Sequence, residues 1–396
     1  MMLLSDIDEQ PQAQQSRFAL FDLGFRPFYL LASVFAALSI PLWSLQFSGM
    51  LGYSYLSGPL WHAHEMVFGF TLAVIVGFLF TAGRNWTNQP TPTGWKLAAL
   101  AALWVAGRIL VLTPFAVAAA AVNVAFPLAA AISLAVPFVK SGNRRNYFFV
   151  ALLVLLAVAA GFVHLSQLTG ASLAPWFGIQ VALDVVLFIL AVMGGRVIPM
   201  FTNNGVPGAT ATRNPYVEKA ALGLVLVLMA ADAVGLNGAL LAVLAGAACV
   251  AHAWRFVLWQ PWRTRSVPIV WVLHLAYLWV PVHLALRVLS AYGWVMPSAA
   301  THALTVGAVG GLIIGMMTRT ARGHTGRPLR ADGFDTACYV LLLLAAVVRV
   351  ALPLVVPAHI FYAVLCSAVL WSGGFGLYAV RYWPVLSRAR LDGRPG

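Results

Sequence analysis

Runs of about 20 apolar residues recur along nearly the whole chain, and each is long enough to cross the hydrocarbon core of a bilayer as a helix. They predict helices at 27–47, 60–82, 95–113, 115–138, 147–166, 176–201, 218–235, 237–259, 268–290, 299–318, 336–356 and 358–380. In lipid every backbone polar group must be satisfied within the segment, so a chain of such runs folds as an all-α polytopic membrane protein of about 12 transmembrane helices. Only 9% of the 396 residues are charged and 61% are hydrophobic, which leaves no stretch for a soluble domain. The expected division is a cytoplasmic segment at 1–26, one membrane domain at 27–380 and a cytoplasmic tail at 381–396.

The formal net charge of +13 does not come from a basic domain or arm. The cations punctuate the apolar runs, lying in the termini and in every second loop, whereas the loops 48–59, 167–175 and 291–298 contain no Lys or Arg. That is the positive-inside pattern. It excludes nucleic acid as a partner and predicts an inner-membrane protein with both termini cytoplasmic. The start, MMLLSDIDEQPQAQQSRF, has no apolar h-region and reads as uncleaved. Cys249, Cys338 and Cys366 lie in apolar segments without metal or haem-attachment spacing.

The ends of helices 2, 6 and 10 resemble one another and place Thr81, Thr202 and Thr318 at intervals of 121 and 116. Arg26, Arg145 and Arg265 precede helices 1, 5 and 9 at intervals of 119 and 120. Both series give a four-helix unit used three times, at 27–138, 147–259 and 268–380. Three units imply a ring rather than two inverted halves. Twelve helices in three arcs are similar in architecture to the catalytic subunit of haem-copper oxidases, although helices 6 and 7, which carry copper ligands there, have no His here.

Ionisable groups inside a membrane are costly and are candidates for function. His62, His64, His164, His283, His302 and His359 fall at one depth near the outer face, with His274 deeper. A single intramembrane His is commonly a satisfied core group. The cluster Trp61-His62-Ala63-His64-Glu65-Met66, with His302 and His274, points instead to a metal. Imidazole suits iron and copper, and a haem in a helical bundle takes axial ligands from facing helices. On a regular helix His62 and His64 diverge by about 200°. Either the turn after Pro59 is unwound or the two serve different centres. Glu65, expected on the face of His62, and Asp184 are carboxyls within apolar helices and candidates for proton transfer, or for pairing with an Arg or His. Arg108, Arg287 and Arg349 break the positive-inside pattern. They either snorkel to the outer headgroups or face the bundle and neutralise an anion such as a haem propionate. Gly307, Gly311 and Gly315 form a close-packing stripe. The segment 318–329 either binds phosphate or enforces topology.

FRPFYLLA at 25–32, WHAHEMVFGF at 61–70, GGRVIPMFTNNG at 194–205, HALTVGAVG at 302–310 and TRTARGHTGRPL at 318–329 together resemble the NnrS family over nearly the whole chain. The resemblance implies a protein carrying haem b, with or without copper, linked to the nitric oxide response of denitrifying and related bacteria. It implies metal ligands among His62, His64 and His302, with His274 in VLHLAYLW and His324 in GHTGR. The expected activity is binding and reduction of nitric oxide as a nitric-oxide-reductase-like oxidoreductase, supplied by quinol or a periplasmic electron carrier. The alternatives are a non-catalytic protective binder of nitric oxide, haem or copper, and a transporter of metal or an iron-nitrosyl species, in which Gly58-Pro59, Gly194-Gly195 and Pro199 mark broken helices. Oligomeric state is not implied.

Overall fold

The computed structural model describes residues 17–52, 55, 56, 58–170 and 175–394, and the expected segments at 1–26, 48–59, 167–175 and 381–396 extend in part outside them. Twelve long helices occur at the places the apolar runs indicate. They are α1 (Phe25–Phe47), α2 (Gly58–Thr87), α3 (Gly94–Leu110), α4 (Ala116–Lys140), α5 (Tyr147–Thr169), α6 (Pro175–Gly205), α7 (Pro215–Ala233), α8 (Gly238–Leu258), α9 (Pro268–Ala291), α10 (Pro297–His324), α11 (Gly333–Val355) and α12 (Ile360–Ser387). Ten are long and apolar enough to span a membrane. The other two are α3, at 17 residues, and α7, which carries Glu218, Lys219 and Asp232. No strand is formed among the described residues.

The same neighbour relation returns every four helices. α4 packs on α5, α8 on α9 and α12 back on α1, so the bundle closes into a ring. α2, α10, α6 and α9 are the most enclosed spans (89, 72, 67 and 67% buried) against 28–50% for the other six. Thr81, Thr202 and Thr318 occupy equivalent places on α2, α6 and α10. Each hydroxyl is buried and donates to the carbonyl four residues earlier, at 2.8 Å.

Closure is tied at the end that carries the termini and the basic loops. Phe18 and Arg388 form an antiparallel bridge. Arg26, fully buried, donates from Nη1 to the carbonyls of Leu386 (3.0 Å) and Arg388 (2.6 Å).

α6 keeps the continuous helix expected of it, against the break that a transporter would need, whereas α2 departs from a regular one. α6 is continuous from Pro175 to Gly205 through Gly194, Gly195 and Pro199, so no break exists there. The glycines serve packing. A Cβ on Gly194 would lie 2.8 Å from the Tyr277 ring, and one on Gly195 would collide with the Arg255 guanidinium, which crosses there to Glu218 at 2.8 Å. α2, in contrast, changes winding. It is α-helical from Gly58 to His64, π-helical from Glu65 to Thr71 and α-helical again to Thr87. α10 does the same, with its π segment at Ala303–Gly310 starting directly after His302. π segments within α-helices gather at functional sites, because the wider turn re-aims the side chains around it.

Candidate functional site

The two π segments flank a cavity of about 500 Å³ at the end of the bundle remote from the termini, within the size range of ligand sites. Its wall is largely apolar and aromatic, with Trp43, Phe47, Phe70, Trp176 and Trp371 prominent. Into it project His62 from α2, His302 from α10, Gln180 from α6 and Arg349 from α11.

His62 and His302 face one another with ring planes 9° apart and centroids separated by 6.3 Å. That separation brings the two imidazoles close enough for one ion to reach a nitrogen of each, at metal–nitrogen bonds of about 2.0–2.1 Å, once the rings turn their nitrogens toward it. His302 is oriented by its own helix, its Nδ1 lying 2.7 Å from the Ser298 carbonyl. Nδ1 therefore carries the proton and Nε2 keeps a free lone pair, the arrangement a ligating histidine adopts. His62 stacks on Trp43 at 4.9 Å, and its Nδ1 is buried with no partner. Arg349 has no hydrogen bond or ion pair with any described residue, so its guanidinium on a largely apolar wall is open to an anionic group.

Two imidazoles suit a haem, whose porphyrin supplies the other iron ligands, and Arg349 suits a propionate. A structural zinc would need three or four protein donors. Among the described residues no group of three or more His, Cys, Asp or Glu is placed to hold a metal.

His64 points away from the cavity. The first turn of α2 is regular, so the divergence of His62 and His64 is realised as two separate environments. His64 Nε2 lies 3.1 Å from His164 Nε2 of α5, and His164 Nδ1 lies 3.1 Å from the Tyr55 hydroxyl. His64 Nδ1 meets Glu65 Oε1 at 2.7 Å, and Arg108 donates to that oxygen at 2.6 Å while also bonding Asn123. Glu65 thus turns to His64 and not, as expected, to the face of His62, because the π segment begins at Glu65 itself. Gly69 admits the Arg108 side chain, since a Cβ there would be 2.6 Å from Nη1.

A third polar set stands behind the cavity wall. Gln180 donates to Asp184 at 3.0 Å and reaches Asp232 at 3.4 Å, and Arg287 pairs with Asp232 at 2.6 Å. Asp184 Oδ2 is buried without a partner.

Of the residues the sequence proposes, His62, His302 and Arg349 come together at the cavity. His64, Glu65 and Arg108 form the neighbouring network, and Asp184 and Arg287 the third set. Arg108 and Arg287 are thereby bound to carboxylates and not presented to a cavity ligand. Three histidines lie elsewhere. His274 donates from Nε2 to Thr202, at 2.8 Å. His283 bonds the Ala300 carbonyl at 2.7 Å. His324 lies tilted against Phe25 at the basic end, 5.6 Å between centroids. Sequence reasoning placed His164 at the outer depth without giving it a role and passed over Asn123 and Gln180, although each is a polar residue inside an apolar run, the signal that singles out Glu65 and Asp184.

The fold and site define a polytopic α-helical membrane protein with a paired-histidine cavity among its inner helices. The family model described as NnrS protein matches residues 19–390, and the chain belongs to the NnrS family. A search of the curated proteins finds no match.

Proposed function

We propose that this chain holds a haem b in the cavity between His62 and His302 and there binds and reduces nitric oxide, as part of the nitric oxide response to which the NnrS family is linked. The observation that carries the reading is the adjacent histidine pair with the unpaired Arg349 on a largely apolar wall. His62 and His302 would hold the iron, Arg349 would take a propionate, and the aromatic wall would accommodate the macrocycle and exclude water. When bound, the haem supplies an iron that binds nitric oxide and passes electrons to it. Copper, where present, has donors in His64 and His164, whose Nδ1 atoms are oriented by Glu65 and Tyr55.

Reduction of two nitric oxide molecules to nitrous oxide and water takes up two electrons and two protons. Quinol or a periplasmic electron carrier supplies the electrons. The carboxyl pair Asp184 and Asp232, bonded to Gln180 of the cavity wall, is the nearest store of protons. The positive-inside pattern supports termini in the cytoplasm and a cavity at the periplasmic side of the inner membrane.

A second reading, a protective binder without turnover, is favoured by the presence of two histidines at one site: an iron held by both would leave no position for nitric oxide, whereas reduction would need one of the two to stay off the iron. An anaerobic titration with nitric oxide and a reductant separates the two. Continued consumption with release of nitrous oxide supports reduction, uptake that stops at one or two equivalents supports sequestration, and no uptake overturns both.

A further inference from the structure

Next to the histidine cavity, one step toward the basic end, is a second cavity of about 90 Å³ between α1, α2, α6, α9 and α10, to which no polar atom is exposed. The two cavities follow one another along the same faces of the three equivalent inner helices. Their walls continue from Phe70 to Val74 on α2, from Val186 to Ile189 on α6 and from Val309 to Leu312 on α10. Steps of three or four residues keep these side chains on one face, so a single layer of apolar side chains separates the two spaces.

A buried water needs two to four polar partners, and this cavity offers none, so it is dry. Dry cavities lined by Leu, Ile and Phe take up xenon and benzene. A charged or strongly polar molecule would lose its hydration there with nothing in exchange. The wall selects for a neutral, nearly apolar molecule, and the volume is that of a xenon atom or a diatomic gas.

We infer that the second cavity is a binding site for a small neutral gas molecule, which exchanges with the histidine cavity through the apolar layer between them. The site raises the local concentration of such a gas beside His62 and His302. That the gas in the cell is nitric oxide rests on the function proposed above; the existence of the site does not.

Crystals of the full chain under xenon pressure test the site directly. An anomalous peak in van der Waals contact with Val74, Ile189 and Leu312 is expected, and Val74→Phe and Ile313→Phe, each extending a side chain into the space, are expected to abolish it. An ordered water in the cavity, or no xenon there in the unsubstituted protein, overturns the site whether or not the variants fold. Flash photolysis of the nitric oxide complex tests the exchange: a slow rebinding phase is expected and its loss in both variants. Rebinding unchanged by filling overturns the exchange. A xenon peak in a protein that binds no nitric oxide leaves the gas site standing and overturns the proposed function alone.

Discussion

Replacing Arg108 by Leu removes one half of an ion pair that has no access to water. Glu65 is fully buried and Arg108 nearly so, and Nη1 stands 2.6 Å from Oε1. Glu65 Oε2 already lacks a partner, so in the variant the carboxylate keeps only the His64 contact. Leaving one member of a buried pair uncompensated costs about 3–5 kcal/mol, a factor of more than about 100 in the folding equilibrium. The Asn123 amide loses its donor as well. The double variant Glu65→Leu/Arg108→Leu removes both charges, and apolar side chains in place of a buried pair are often neutral in effect. Equilibrium unfolding in mixed micelles with increasing dodecyl sulfate therefore gives a large loss for Arg108→Leu and most of it regained in the double variant. A loss below about 1 kcal/mol in the single variant, or a double variant no better than the single, refutes the argument that the pair is dry and mutually dependent.

Gly311→Val places new atoms where a Cβ alone comes within 2.6 Å of Ala276; overpacking of about 1–3 kcal/mol lowers the melting temperature. Gly223→Ala, on α7 with open space at its Cβ, raises it by the helix-propensity difference of about 1 kcal/mol. Arg349→Leu weakens haem binding in a titration of metal-free protein with haem, whereas haem dimethyl ester, which lacks the free propionates, binds both forms alike. Asp332 caps α11 in a reciprocal capping box with Asp335, and Asp332→Ala costs about 1 kcal/mol. Partial burial opposes its ionisation, but the Asp335 N–H, Arg381 and Arg322 outweigh that and hold the carboxyl below its ordinary value. The cap's contribution is thus complete above the ordinary aspartate range near about pH 4 and is lost as pH falls below it, which thermal melts at descending pH read as a narrowing gap between Asp332→Ala and the parent.

The helices were legible because lipid imposes one requirement, about 20 apolar residues per crossing, on every span. The bends in winding were not. Nothing in EMVFGFT or ALTVGAVG distinguishes a π segment from an α-helix, yet those segments decide that His62 meets His302 while Glu65 meets His64. Polar residues in apolar runs were readable as candidates, but their pairing was not. Whether Arg108 finds Glu65 or a cofactor depends on Gly69 opening a path across α2, a tertiary fact. The paired glycines of α6 read equally as a break or as room, and the crossing Arg255 makes them room.

The central claim is that His62 and His302, and not His274 or His324, hold the haem iron. The most direct test is the iron content and anaerobic reduced-minus-oxidised spectrum of the purified protein beside His62→Ala, His302→Ala, His274→Ala and His324→Ala. A haem spectrum that is lost or shifted in the first two variants and retained in the last two is the predicted result. A full spectrum in both His62→Ala and His302→Ala, or no haem in the parent protein, contradicts it.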